Sequence, residues 1–550
     1  MLIKAKNRVF LLAVLSVILL ITACTGGNTG GNTAGNNNSN NSGTTSETGG
    51  TVKNNASEGT AAPSEDPEKH VTLEWLTYQY GQVDDNAPAK KMLEEKFNVT
   101  FNIWYIDVTK RDELLGVRLA AGDIPDFMTV YSSADLVKFM EQGIITGYTE
   151  EELNEYMPNY KKLIDKYDPN IWRYAKYGDQ YIGIPSIAEG GISLAVAWRK
   201  DWLENVGITK IPVTLEETEK ALYKFRNEDP DQNGKKDTYG LSQSGMVNIY
   251  GAFGVYPEFW TVRDGKMVWS GILPETKQAL ATLRKWKEDD VITPEWVLGE
   301  NQGGYWAVSH EFVNGRIGYS SHGMSYHWNP DMTKETGGAP GDNVKMTLEL
   351  NPNAKIGYGQ PPIGPEGKFG NITPDFIGTT YLAFGKNADS EKKHRIMKIW
   401  DTIYGDFDTW MAVKWGEEGV HYQKGPDGNS VIRTEEYKTN DAQAKAGLNI
   451  TFAPLDQPDF RLSLSNPKGL EVRDELFVWE GAGYSNALKS ALPSEGKYMQ
   501  NLVKLQQDVF TAIINGEKPL EYFDEFVKMW KSDGGDQLTE EANQWYSSIQ

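Results

Sequence analysis

The chain has 550 residues, with 55 Lys and Arg against 76 Asp and Glu, a formal charge of −21. That balance excludes a nucleic-acid partner, because neutralising phosphates needs a basic face. A single cysteine excludes intramolecular disulfides and Cys-based zinc sites, while 17 Trp, 27 Tyr and 19 Phe supply a real core for two large domains or about three smaller ones.

Lys4, Lys6 and Arg8 precede a run of apolar and weakly polar residues from Val9 to Ile21. The run is shorter than the roughly 20 residues a bilayer span needs, and it ends in small residues, so it reads as an export signal. Ile21-Thr22-Ala23-Cys24 follows, with the sole cysteine where a bacterial lipobox requires it; residues 1–23 are then a signal peptide and Cys24 is lipidated. Residues 24–67 are almost entirely Gly, Asn, Thr, Ser, Ala and acids without apolar periodicity. They are predicted to be a disordered tether spanning roughly 35 Å, holding the body at the extracellular face of the membrane.

From Val71 the chain alternates. VTLEWLTY (71–78), VTFNIWYID (99–107) and DFMTVYS (126–132) read as strands, and APAKKMLEEKFN (87–98), RDELLGVRLAAG (111–122) and ADLVKFMEQG (134–143) as helices. That alternation predicts crossover units, a largely parallel sheet and a ligand edge at the carboxyl ends of the strands. A second block carries a strand running into a helix (192–208), a helix (215–228), a strand with a loop (316–324), a strand (376–385), a helix (390–406) and a helical tail from Lys497.

The most specific local motif is DPDQNGKKD (229–237). Asp229, Asp231, Asn233, Lys235 and Asp237 stand at positions one, three, five, seven and nine of a calcium loop, with Lys235 offering its carbonyl and Gly234 making the turn. Position twelve is Gly240, without the usual bidentate Glu, so either a structural calcium site or an acidic turn fits the spacing. Catalytic motifs are incomplete. HEFVN (310–314) lacks the second histidine of a zinc protease, GYSSH (318–322) lacks the second glycine of a nucleophile elbow, and Glu417 and Glu418 are adjacent where a glycosidase needs opposed carboxylates. No enzyme signature is present. Trp198, Trp260, Trp306, Trp328 and Trp415 at predicted strand ends or loops suit either core packing or a platform for the flat face of a sugar.

Lipobox, tether and α/β body together resemble a Gram-positive extracellular solute-binding lipoprotein (family 1) of an ABC oligosaccharide importer, with the alginate-binding proteins as relatives. The resemblance is carried by LAAGDIPDFM (119–128), GDQYIGIPS (178–186), AWRKDWLENVGI (197–208), DPDQNGKKDTYG (229–240), PPIGPEGK (361–368), WGEEGVHY (415–422) and the tail from 514 to 546. It implies a two-lobed periplasmic-binding-protein-like fold of the α/β class with hinge strands and discontinuous lobes. The N-lobe is expected at 68–187 and 374–450 and the C-lobe at 188–373 and 451–550, with crossings near Pro185–Ile192, near Asn371–Ile377 and near 450. It further implies a monomer that closes on an oligosaccharide and docks transmembrane permease subunits, with calcium in the 229–237 loop. By position, the sugar-binding candidates are Tyr78, Tyr80, Ser132, Ser133, Glu189, Trp260, His322, Trp328, Trp415 and Glu418. A peptide-binding or sensor-coupled receptor, and a surface-anchored polysaccharide-active enzyme, remain alternatives.

Overall fold

The computed structural model describes residues 69–187, 194–298, 300, 308–372 and 380–550. The signal, Cys24, the tether, Glu189, Trp306 and most of the first two expected crossings lie outside the described residues. The alternation at the start of the body folds as strand β1 (Val71–Gln79), helix α1 (Pro88–Phe97), strand β2 (Val99–Asp107), helix α2 (Arg111–Ala120), strand β3 (Phe127–Val130) and helix α3 (Ser133–Glu141). Local chemistry sets the joints. Pro88 opens α1, where its missing N–H costs nothing, and Asn98 closes it in the left-handed region at φ 48°, turning the chain directly into β2. Ser132 caps α3 by accepting from the Asp135 N–H at 3.0 Å.

β1 lies between β2 and β3 and parallel to both, with Val71 opposite Val99 and Trp75 opposite Phe127. The strand expected at 376–385 is seen at Tyr381–Gly385 and runs antiparallel to β3 and to strand β4 (Ile145–Thr146). The sheet order is therefore β2, β1, β3, Tyr381–Gly385, β4, and the sheet is mixed because its fourth member returns from distant sequence. Trp75, fully buried, centres the first core: its ring lies 4.3 Å from Phe127, 5.1 Å from Phe101 and 5.6 Å from both Trp400 and Phe452. A ring of that size removes about 200 Å² from water, roughly 5 kcal/mol of gross stabilisation before conformational entropy is counted.

A second core gathers round a separate antiparallel sheet, in which Ala197–Arg199 lies between Tyr319–Ser320 and Ile356–Tyr358. Trp198, Trp202, Trp260, Trp286 and Trp530 fill it, together with the helices Leu215–Asn227, Pro274–Glu288 and Glu495–Ile514. The first core draws on residues 71–187 and 382–464, the second on 196–319 and 488–542, so each is discontinuous in sequence. Phe452, Ala453, Leu455 and Leu464 belong to the first core, beyond the crossing expected near 450, and Phe477 joins Trp328 and Phe312 in a cluster beside the second. Where the connections meet, Asn371–Ile372 pairs with Gly483–Tyr484, and the Asn371 amide donates to the Leu194 carbonyl at 3.0 Å. Among the described residues no helix is long and apolar enough to cross a membrane.

Candidate functional site

A cavity of about 1090 Å³ lies between side chains packed on the first core, such as Trp415, Arg433 and Leu464, and others beside the second, such as Tyr326, Asn329 and Phe477. Its volume stands at the top of the range of roughly 300–1,000 Å³ typical of small-molecule sites. One wall is built from a helix end. The helix Phe407–Lys414 stops at Trp415, and Gly416 reverses the chain at φ 82°, where a Cβ would also strike the His421 ring at 2.7 Å. A hairpin follows, Tyr422–Lys424 against Val431–Arg433, with Tyr422 opposite Arg433. Its last residue returns to the helix end. The Arg433 guanidinium lies 4.4 Å from the Trp415 ring centre and donates to the carbonyls of Trp415 at 2.7 Å and Lys414 at 2.5 Å. Those carbonyls are acceptors left over at a helix C-terminus, where a cation also meets the negative end of the helix dipole. Burial pushes Arg433 down to about 10. Burial first, then the neighbouring Arg433 and Arg461 charges against the opposing pull of Asp456, pushes Lys414 down to about 8.

The other sequence candidates fall in several places. Trp415 lines the large cavity. Glu418 is exposed on the loop between Trp415 and the hairpin. Tyr78 is buried and lines a small recess at the carboxyl edge of the sheet with Thr129, Tyr131 and Pro454, its ring 5.7 Å from Tyr131. Tyr80, just beyond, is exposed. Ser132 is occupied as the cap of α3, and Ser133 is the first residue of that helix. Trp260 and Trp328 do not serve as platforms. Trp260 is 1% exposed and packs against Trp269 and Trp530 in the second core, and Trp328 is fully buried edge-on to Phe312 with its indole N–H on the His322 carbonyl. His322 is buried, which lowers its pKa, and its Nε2 has no hydrogen-bond partner.

Two features were not read from the sequence. Arg433, Arg461 and Arg473 all line the large cavity, and it takes the hairpin and the helices Pro458–Ser463 and Pro467–Phe477 to bring them together. A buried carboxylate, Glu300, accepts from Ser242 at 2.5 Å and Ser244 at 2.9 Å, and Ser309 and Ser320 extend the chain of hydroxyls. Its partners are spread from 242 to 320, so no local spacing announces it.

The 229–237 loop follows the helix Leu215–Asn227 and is pinned by the Asn205 amide on the Pro230 carbonyl at 2.8 Å. Asp229, Gln232 and Gly234 take positive φ, and the Gly234 N–H donates to Asp229 at 3.0 Å. The Asn233 amide donates to Asp231 at 2.8 Å and to Asp237 at 3.2 Å, in the place a cation would take between carboxylates. Burial first, then Asp229 and Asp237, raises the Asp231 pKa, and the buried Oδ1 of Asp229 has no partner. Thr238 turns inward and donates to the Phe225 carbonyl at 2.7 Å, away from any ion. Among the described residues no three His, Cys, Asp or Glu side chains are drawn together closely enough to hold a metal. The donor set nonetheless suits calcium: three carboxylates share the loop with an unsatisfied oxygen and mutual repulsion to relieve.

The sequence profile described as "Bacterial extracellular solute-binding protein" matches residues 89–373. The polygalacturonan/rhamnogalacturonan-binding protein YtcQ of Bacillus subtilis (strain 168) is 26% identical over 511 residues, covering 90% of this chain and 93% of its own. Among solved structures, alginate-binding protein AlgQ2 without calcium ion superposes with a TM-score of 0.63 at 14% identity, over 87% of this chain and 98% of that one. The S. pneumoniae ABC-transporter substrate-binding protein FusA, an EF-hand mutant in complex with fructo-nystose, gives 0.61 at 17% identity, over 87% and 99%. These likenesses show the two-lobed, periplasmic-binding-protein-like fold. The chain belongs to the bacterial extracellular solute-binding protein family.

Proposed function

We propose that this protein captures an oligosaccharide between its two lobes and delivers it to the transmembrane subunits of an ABC importer, from the extracellular face of a membrane to which a lipid on Cys24 holds it. The observation that carries the reading is the large cavity, walled by residues packed on the first core and by residues beside the second, where rings such as Trp415 and Tyr326 alternate with amide and hydroxyl groups such as Asn329, Asn466 and Thr434. Sugars present apolar C–H faces and hydroxyl rims, and such a wall offers a counterpart to each. Closure of the lobes on the solute is then the signal the permease reads. The saccharide-binding relatives support the ligand class, and nothing in the cavity wall suggests turnover: Glu435 is its one carboxylate among the described residues.

Tyr78 and Tyr80 are assigned to the N-lobe side of the ligand cleft, His322 to the opposite side, Trp415 to the cavity wall and Glu418 to the loop beside it; Glu189 remains a candidate by its place in the sequence. The lobe division follows the cores, with the last crossing between Leu464 and Phe477. In the 229–237 loop, calcium would be held by Asp229, Asp231 and Asp237, the Lys235 carbonyl and, after rotation of its amide, the Asn233 oxygen, as a brace far in role from ligand capture.

A thermal-shift screen of the full chain in detergent against neutral and acidic oligosaccharides and against peptides tests the reading. A bound ligand at 100 times its dissociation constant stabilises the folded state by about 2.7 kcal/mol. A saturable shift with one saccharide class supports the proposal, and a shift with peptides alone overturns it.

A further inference from the structure

Cations outnumber anions on the wall of the large cavity. Arg433, Lys438, Arg461 and Arg473 line it against Glu435, in a chain whose overall balance is −21. Three of those cations have carboxylate partners: Lys438 pairs with Glu435, Arg461 with Asp456 at 3.0 Å and Arg473 with Asp474 at 2.6 Å. Arg433 differs. No carboxylate among the described residues pairs with it; two main-chain carbonyls and the Trp415 ring hold it in place, and its remaining N–H donors are uncommitted. Behind it stands Lys414, whose amine reaches the Ala453 carbonyl at 3.2 Å and whose nearest balancing charge, Asp456, is already bound by Arg461.

Arg433 is half-buried, and drawing a guanidinium out of water with only carbonyl dipoles and a ring face to balance it is unfavourable unless something else supplies a counter-charge. Here the side chain is also immobilised before any ligand arrives, so its planar fork is preorganised for a carboxylate, which it binds through two parallel hydrogen bonds. We infer that the captured solute is an acidic saccharide whose rings carry carboxylates, and that Arg433 is the residue that reads one of them. The inference rests on the saccharide reading above and narrows it to one chemical class. Arg461 and Arg473, already paired, add a positive field along the wall and set the preference for charge without being specific partners.

The test is calorimetric titration of the full chain in detergent with the trimer of galacturonic acid and with its fully methyl-esterified form, which keeps the rings and loses the charge. The acid binds tighter by about tenfold or more, as expected for a charge-assisted bidentate pair. Its affinity falls as salt is raised, while that of the ester holds. Arg433→Gln brings the acid-to-ester affinity ratio down toward one, and Arg433→Lys, which keeps charge but not the fork, restores part of it. Because Arg433 also ties the hairpin to the helix end, the acid-to-ester ratio and salt dependence of the unaltered chain decide the matter if a variant fails to fold. Equal binding of acid and ester overturns the inference, as does an Arg433→Gln variant that weakens both alike. Binding of neutral oligosaccharides without preference for the acid sinks this inference and leaves the saccharide reading standing; binding of no saccharide takes down both.

Discussion

Two loops in this protein gather charge of one sign, and they do so with opposite signs. The 229–237 loop carries Asp229, Asp231 and Asp237, and at the cavity wall Lys414 stands behind Arg433 and Arg461. Each arrangement is unfavourable by itself: the Asp231 carboxyl is raised and the Lys414 amine lowered, both away from the charged form. The difference lies in what surrounds them. The acidic loop is a nine-residue surface turn braced by its own amides, suited to a small cation. The basic wall stands beside a cavity of about 1090 Å³ and suits a large anion. Each cluster is one that a counter-charge from outside would relieve, a cation at the loop and an anion at the wall.

Variants can break that comparison at either end. The largest effect expected is on stability: calcium at 100 times its dissociation constant raises the unfolding free energy by about 2.7 kcal/mol, read as a higher melting temperature, and Asp229→Ala abolishes the response. A melting temperature indifferent to calcium and to chelator would remove the cation from the account. Next, Arg433→Gln lowers affinity for the acidic trimer by about 2 kcal/mol, roughly 30-fold, without moving the calcium response. Loss of the calcium response in that variant would mean the two loops are not independent.

Glu152 sharpens the contrast, because its charge is already balanced inside the fold. The hydrogen bond from His394 at 2.8 Å, outweighing desolvation and aided by the Thr149 N–H and by Lys393 at 3.4 Å, holds its carboxyl down to about 2. A carboxyl depressed in the folded state stabilises above its unfolded value of 4.5 and loses that contribution as pH falls toward about 2. Denaturant unfolding of the wild type should therefore lose about 1–2 kcal/mol more than Glu152→Gln does across that window, with no dependence on calcium or saccharide. The smallest effect belongs to Asp231, raised in the folded state and so destabilising when ionised above its folded value. Asp231→Asn should stabilise the calcium-free protein at neutral pH by about 0.5 kcal/mol while weakening its response to calcium. A destabilised calcium-free variant would show that the loop's carboxylates do not repel.

How much of this was legible beforehand depended on how local each signal is. The helices and strands from Val71 to Glu141 follow from periodicity and caps a few residues apart, and the structure places them within a few residues of expectation. The 229–237 motif was visible because its candidate ligands sit on alternate residues. Tryptophan roles were not. Trp260 and Trp328 occupy short elements whose inward side is set by Trp530 and Phe312, more than two hundred residues away in the first case, so sequence position could not separate a core ring from a platform. Arg433 was missed for the same reason: it is an unremarkable cation in VIRTEE until the hairpin folds it onto the end of the preceding helix. Phe452, just past the crossing expected near 450, packs beside Trp75, a contact between residues nearly four hundred apart that no local pattern announces.

The central claim is that the solute is held in the cavity between the two cores. Hydrogen exchange of the full chain with and without the acidic trimer tests it most directly. The account predicts slowed exchange on both walls together, at residues 325–339 and at 415–438 with 461–473. Slowed exchange confined to one wall, or located elsewhere with both walls unchanged, would contradict it.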